Sequence, residues 1–244
     1  MEYLVADDPT IGFLPTLYFA RMDVDLEGLD AFNSWYRDKH APDLISAGFY
    51  SAHGYQCLEG NPFICNLYEI PSSEIFYTPD YQEKRTPEHD PQRPAILETV
   101  SNRSNTTYEQ VTVMSRTRPS APWVQGNREC AVDGRAISTI RFDADQAAGG
   151  DLSDWISEQM RTGAFNSFGV LAVRLCRRFG RPHPANPSSE PDWVLITEWE
   201  SKGAAASGRS EALEIERLTK APVGLSGIEY NFAVRSLSLR DLSR

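Results

Sequence analysis

The chain has 244 residues, 41% of them hydrophobic, with a formal net charge of −10 and a pI near 4.9. A chain of that length buries a core without disulfide staples, and its excess of acid repels a phosphate backbone, so nucleic acid is excluded as a partner. No apolar run approaches the roughly 20 residues needed to span a bilayer, and residues 1–8 carry no basic segment ahead of an apolar one, so a cytoplasmic protein that neither enters a membrane nor is exported is expected.

Leu17–Met22 gives the first strand signal and ends at an acidic turn in which Asp25 is placed to cap a helix. Leu29, Phe32, Trp35 and Tyr36 recur at spacings of three and four, the stripe of a helix that runs to His40 before Pro42 and Gly48 close the segment. Strands at Phe49–Cys57 and Phe63–Ile70 flank the turn Glu59–Pro62 as a hairpin. Pro79, Pro87, Pro91 and Pro94 divide residues 72–104 into a short helix, a loop and a second short helix near Ala95–Val100, with Thr86–Pro91 as an exposed excursion. Thr107–Met114 completes a βαββαβ unit.

A linker over residues 116–134 leads to a second run in the same order. Strands fall at Ala136–Phe142, Phe168–Phe179, Trp193–Glu200 and Ile228–Leu239, with helices at Leu152–Met160 and Ala204–Ala221 and a proline-rich loop over residues 180–187. Arg21, Asp23, Asp25 and Trp35 recur as Arg141, Asp143, Asp145 and Trp155 at a constant offset of 120. Tyr68-Glu69 recurs as Trp199-Glu200 at an offset of 131. The expected fold class is therefore α+β, with two tandem ferredoxin-like repeats over residues 10–115 and 135–244. Consecutive apolar residues at Tyr18–Ala20, Phe63–Ile64 and Val194–Ile196 imply that both sheet faces are covered, so the two sheets close on each other as a pseudo-dimeric α+β barrel. The basic cluster Arg174–Arg178 reads as a solvated strand end.

A residue kept in both halves serves structure, whereas a polar residue of one half alone is free for chemistry. Trp35 and Trp155 are packing anchors by that filter. His40 faces Met160 at the offset of 120, and His53 faces Val173 or its neighbour. His40 at a helix C-terminus would have its pKa raised by the dipole, with Asp43 three residues on to orient it; a capping histidine is the alternative. His53 shares a strand face with Ser51 and Tyr55, opposite Tyr50, and meets His40 if that face looks toward the helices; a satisfied core histidine is the alternative. Tyr68 and Glu69 lie on opposite faces, so only one of them lines a shared pocket. His89 and His183, in proline-rich loops, read as surface residues. Cys57, Cys65, Cys130 and Cys176 form no CxxC pair and read as free thiols. The nucleotide, hydrolase and zinc motifs GxGxxG, P-loop, GxSxG and HExxH are missing, so no cofactor and no metal are expected.

The run Phe32, Trp35, Tyr36, Arg37, Asp38 and His40-Ala41-Pro42, followed by Gly48-Phe49 and the strand through Tyr55, resembles EthD-like members of the dimeric α+β barrel superfamily over about residues 15–70. The resemblance implies a cavity between helices and sheet, with His40 as its histidine, in a superfamily that spans cofactor-free oxygenases, polyketide cyclases and dehydratases, muconolactone-type isomerases and haem enzymes. The expected activity is cofactor-independent proton transfer on an apolar, aromatic or polyketide-like small molecule, of the lyase, dehydratase, cyclase or isomerase type. His40 would be the acid or base, Asp43 its orienter, and His53 and Tyr68 partners for a carbonyl or phenol, with Tyr36, Tyr50, Ser51 and Tyr55 lining the site. A haem-binding protein or monooxygenase of the same fold, with His183 as the only histidine the second half offers an iron, and a non-catalytic ligand-binding module stay open as alternatives. A homodimer formed through outer surfaces stays open too.

Overall fold

Strands that are apolar in consecutive positions bury both of their faces, and here the sheet that they form closes on itself. The computed structural model describes residues 3–6, 14–116, 131–145, 149–188, 191–208 and 211–240. Its strands are β1 (Tyr3–Ala6), β2 (Thr16–Val24), β3 (Ser51–Glu59), β4 (Ile64–Ile70), β5 (Val100–Arg116), β6 (Ala136–Ala144), β7 (Val170–Arg178), β8 (Trp193–Trp199) and β9 (Leu225–Arg240). They run antiparallel in the order β5-β2-β4-β3-β9-β6-β8-β7, and β7 pairs back onto β5, closing an eight-strand barrel to which β1 adds along β5.

Helices cover the outside of the barrel. The first is α1 (Leu29–Trp35), which passes through a π turn at Tyr36–His40 into α2 (Ala41–Ser46). Pro42 therefore opens α2 and does not end the helix: in the first turn its missing N–H costs nothing, and the widened turn ahead of it absorbs the lost donor. Gly48, at φ 106°, supplies the left-handed residue that ends α2, with its N–H on the Ile45 carbonyl. The proline-broken segment holds α3 (Pro79–Glu83) and α4 (Arg93–Glu98); α5 (Gly149–Arg161) covers the second half, and the single helix expected at 204–221 is two, α6 (Lys202–Gly208) and α7 (Glu211–Thr219). Asp25 makes no capping bond through its side chain.

Strand register corrects one repeat offset. Leu17 pairs with Glu69, and Ile137, its counterpart 120 residues on, pairs with Glu198. The partner of Glu69 is thus Glu198 at an offset of 129, not Glu200. His53 lies opposite Leu67 and Arg174 opposite Ile196, so the position matching His53 carries Arg174. Both members of each pair point into the barrel and are fully buried: His53 Nε2 lies 3.8 Å from Glu69, and Arg174 Nε donates to Glu198 Oε1 at 2.6 Å. Arg174 is no solvated strand end, because alternation along β7 aims it at the lumen.

The two glutamates hold the chain that joins the halves. Glu69 accepts from the Val132 N–H (3.0 Å) and Ser51 Oγ (2.5 Å), and Glu198 accepts from the N–H groups of Asp133 and Gly134 (2.6 and 2.7 Å). Arg240 reaches Glu69 at 3.1 Å, and the Tyr55 hydroxyl donates to the Gly134 carbonyl at 2.7 Å. Residues 131–134 are therefore anchored inside the barrel among Leu17, Tyr55, Leu67, Ile137 and Ile196; residues 117–130 of the expected linker, Cys130 among them, lie outside the described residues. Cys57, Cys65 and Cys176 are buried and take part in no disulfide among the described residues. Among the described residues no helix is long and apolar enough to cross a membrane.

Candidate functional site

On β2 and β4 the residues between the lumen-facing ones, Tyr18, Ala20, Asn66 and Tyr68, look outward toward α1, α2 and the segment bearing α3 and α4. A cavity of about 340 Å³ lies there, walled also by Phe32, Trp35, Tyr36, His40, Tyr81, Arg85 and Arg93. Pockets for small ligands run from about 300 to 1,000 Å³, so this one suits a compact molecule.

Of the side chains expected to do chemistry, His40, Tyr36 and Tyr68 meet at this cavity. Asp43 does not orient His40: its Oδ2 pairs with Lys39 Nζ and His89 Nε2, both at 3.1 Å. His53, Ser51 and Tyr55 face the lumen on the other side of the sheet and cannot reach His40, and Tyr50 packs against Ala131. Tyr68 lines the cavity and Glu69 does not, as their alternation requires. Two expectations for the loops fail. Asp90, in the supposed exposed excursion, is buried and accepts from Trp35 Nε1 at 2.8 Å. His183, expected at the surface, is buried in the cavity wall, its ring stacked on Tyr18 at 5.6 Å and edge-on to Phe76 at 4.7 Å.

His183 arrives from the second half. The β7–β8 loop folds back over the first half, where the Arg181 N–H donates to Ser73 Oγ (2.8 Å), the Tyr77 hydroxyl to the Pro182 carbonyl, and the Asn105 N–H to the Asn186 carbonyl (3.1 Å). Gly180, at φ 86°, has no room for a side chain, since a Cβ there would stand 2.5 Å from Ser73 Oγ.

The hydrogen-bond network assigns the two cavity histidines different tautomers. His183 Nδ1 lies 2.5 Å from the Ala185 carbonyl and 3.1 Å from the Ala185 N–H; the shorter contact favours the proton on Nδ1, which leaves Nε2 to accept from the Tyr81 hydroxyl at 2.8 Å. His40 stacks on Trp35 at 4.5 Å, and its Nδ1 faces Arg93 NH1 at 3.4 Å. A guanidinium only donates, so Nδ1 is the acceptor and the His40 proton sits on Nε2, which has no partner among the described residues. Burial, then the charges of Arg93 and Arg85, hold His40 well below the usual histidine value. Burial likewise takes His183 down to about 4, against the pull of its bond to Ala185. Both are neutral near pH 7. The helix dipole expected to raise His40 is not at work, because the helix runs on past it to Ser46. Burial raises the hydroxyl pKa of Tyr18, Tyr68 and Tyr81, keeping all three protonated.

No family model matches the chain, and no curated protein is similar to it in sequence. Among solved structures it is similar to an anthrone oxidase-like protein, with a TM-score of 0.59 and 12% identity over 98% of this chain and 96% of that one. It is also similar to a monooxygenase candidate from Lactobacillus acidophilus (0.56, 11%, 93% and 97%) and to a haem-binding protein from Thermus thermophilus (0.51, 10%, 96% and 92%). At these identities the likeness is one of fold, the α+β barrel. None of the three bears the name of a lyase, dehydratase, cyclase or isomerase.

The cavity does not fit a haem iron. A metal-ligating histidine donates its other ring N–H to a carboxylate, carbonyl or water. Were His40 Nε2 to bind iron, Nδ1–H would point at the Arg93 guanidinium, donor against donor. His183 has both ring nitrogens engaged. The matching region of the second half is filled by Leu152, Ile156 and Met160 packed on Ile140, Leu195 and Trp199.

Proposed function

We propose that the chain is a cofactor-independent oxygenase acting on a flat aromatic small molecule in the first-half cavity. The observation that carries this reading is the pair of neutral histidines of opposite tautomer on one aromatic-walled cavity, one offering a proton and the other a lone pair. The substrate's oxygen takes the hydrogen bond from His40 Nε2–H, which stabilises it as an enolate or phenolate forms. The proton leaving carbon passes to the Tyr81 oxygen as Tyr81 gives its own proton to His183 Nε2, whose rise in charge the substrate anion offsets. The carbanion then reacts with O2 directly. An activated methylene becomes a carbonyl, one oxygen atom entering the product and the other leaving as water, so the substrate itself supplies the electrons. Proton abstraction is common to this chemistry and to the lyases and isomerases expected from the sequence; the names of two structures of like fold favour oxygenation. EthD-like ancestry of the first half, and origin of residues 10–115 and 135–244 by duplication, belong to the same proposal, supported by the repeated order and register of the strands.

The test is oxygen uptake by the purified protein with anthrone and related tricyclic ketones, under chelator and with the absorption spectrum recorded. Uptake of one O2 per ketone formed is expected, falling at least about 100-fold in His183→Ala and His40→Ala. A Soret band that grows with activity, or turnover untouched in both variants, would overturn the reading. Ligand binding without uptake would leave a binding module.

A further inference from the structure

The cavity is charged against the grain of the molecule. The chain holds 34 acidic and 24 basic residues, yet the cavity wall includes Arg85, Arg93 and the exposed Arg103 and not one Asp or Glu. Other arginines meet carboxylates, as in Arg174–Glu198 at 2.6 Å, Arg177–Glu109 at 2.6 Å and Arg240–Glu69 at 3.1 Å. Among the described residues neither Arg85 nor Arg93 forms an ion pair, and the buried Nε of Arg85 has no hydrogen-bond partner. Both guanidiniums are held in place by ring faces, Arg85 over Tyr81 at 5.3 Å and Arg93 over Trp35 at 5.8 Å. Burial and the nearby Arg85 charge push the Arg93 pKa down. The Asp90 carboxylate offsets part of the Arg93 charge but is itself held by the Trp35 indole and the Arg93 backbone N–H, so two half-buried like charges side by side remain a costly arrangement that an anion in the cavity relieves.

Several other polar groups of the wall are already spent on one another. The Tyr18 hydroxyl donates to Asn105 Oδ1 at 2.6 Å, Asn105 Nδ2 to the Ala185 carbonyl at 2.7 Å, and Tyr81 is bonded to His183. Donors that still face the cavity are the guanidiniums of Arg85 and Arg93, the buried Tyr36 hydroxyl and His40 Nε2–H; of these the guanidinium pair suits a planar two-oxygen anion. We infer that Arg85 and Arg93 form a carboxylate clamp, and that the ligand of this cavity is an aromatic acid whose ring system lies along Trp35 and Tyr18. This rests on the proposed function only for the location of the site: the carboxylate is the handle that fixes the rings against His40 and takes no part in the reaction.

Calorimetric titration of the whole protein with anthracene-2-carboxylate and with anthracene-2-carboxamide, in 20 and 200 mM salt, tests the clamp. The acid should bind at least tenfold more tightly, about 1.4 kcal/mol, with the advantage shrinking at high salt. In Arg93→Met and Arg85→Met the advantage should fall below threefold while the amide affinity holds, near-ultraviolet circular dichroism confirming that each variant is folded. If the amide binds wild-type protein as well as the acid does, or if neither binds, the inference is wrong, and the wild-type comparison decides this even should both variants misfold. An acid preference that survives both substitutions also overturns it. Because binding alone is read, acid preference without oxygen uptake removes the oxygenase reading and leaves the clamp; oxygen uptake confined to uncharged ketones, with no acid preference, does the reverse.

Discussion

His183→Phe separates the histidine's packing from its titration. Phenylalanine keeps a ring against Tyr18 and Phe76 but removes the acceptor of the Tyr81 hydroxyl, which costs about 1–3 kcal/mol wherever His183 is neutral. The second effect depends on pH. His183 titrates at about 4 in the folded protein against 6.5 in the unfolded chain, so between those values the unfolded state binds more protons and stability falls as the pH falls. At pH 5 the unfolded state is favoured about thirtyfold by this group alone, about 2 kcal/mol, and at pH 7.5 by almost nothing. Wild-type protein should therefore exceed His183→Phe in stability at pH 7.5, and the gap should narrow by about 2 kcal/mol on going to pH 5. Urea unfolding followed by fluorescence at both pH values measures it. His40 and His53, also held low by burial, titrate in both proteins and cancel in the difference to first order. A gap that does not change with pH would refute the buried, neutral placement of His183.

Trp35→Phe leaves the Asp90 carboxylate, 1% exposed, without its indole donor, and should cost about 1–3 kcal/mol in urea unfolding; a loss no larger than that of an exposed substitution would contradict the bond. Glu198→Leu strands Arg174 inside the barrel and should destabilise by about 3–5 kcal/mol, much of it recovered in the double variant with Arg174→Met; lack of recovery would mean that the glutamate acts chiefly through the N–H groups of Asp133 and Gly134. Glu69 is pushed up by burial, but His53, Arg240 and Ser51 outweigh this and hold it at about 2, below its ordinary 4.5. Its contribution is thus complete above pH 4.5 and lost as the pH falls toward 2, so Glu69→Gln should flatten acid unfolding in that window, as followed by far-ultraviolet circular dichroism.

The strands were legible because each one alternates or is apolar throughout, and the order βαββαβ could be read twice. What the sequence hid was direction. Alternation placed Arg174 with Cys176 and apart from Leu175, but it could not say which face was the lumen, so a buried cation read as a solvated one. Pro42 read as a terminator because the π turn that lets a proline sit mid-helix leaves no mark in residue type. Arg85, Arg93 and Tyr81 went unnoticed in a stretch broken by four prolines, where no periodicity assigns a facing side. His183 carried one usable signal, a hairpin loop far longer than the turn Glu59–Pro62 that it replaces.

Register turns the comparison of halves into an argument about where the cavity comes from. Asp23 Oδ1 accepts the Phe63 N–H at 2.8 Å and Asp143 Oδ1 accepts the Asp192 N–H at 2.9 Å, so the aspartates repeated at 120 do one job twice, tying the first strand of each half to the start of its third. Glu69 and Glu198 likewise hold adjoining stretches of the same connecting chain. By the criterion that shared positions serve structure, His53 joins them, since Arg174 stands in its place beside the matching glutamate. His40 does not, and the positions that differ with it are those of the cavity wall. Ala20, Tyr36, His40 and Asn66 become Ile140, Ile156, Met160 and Leu195, and these four are buried in the second-half core. Larger aliphatic groups at Ala20 and polar-to-apolar exchange at His40 and Asn66 fill the space with carbon, as close packing demands of a site without a ligand. The long hairpin of the second half then crosses over to seat His183 in the first, so the half whose matching positions are packed with aliphatic side chains still supplies a wall of the first-half cavity.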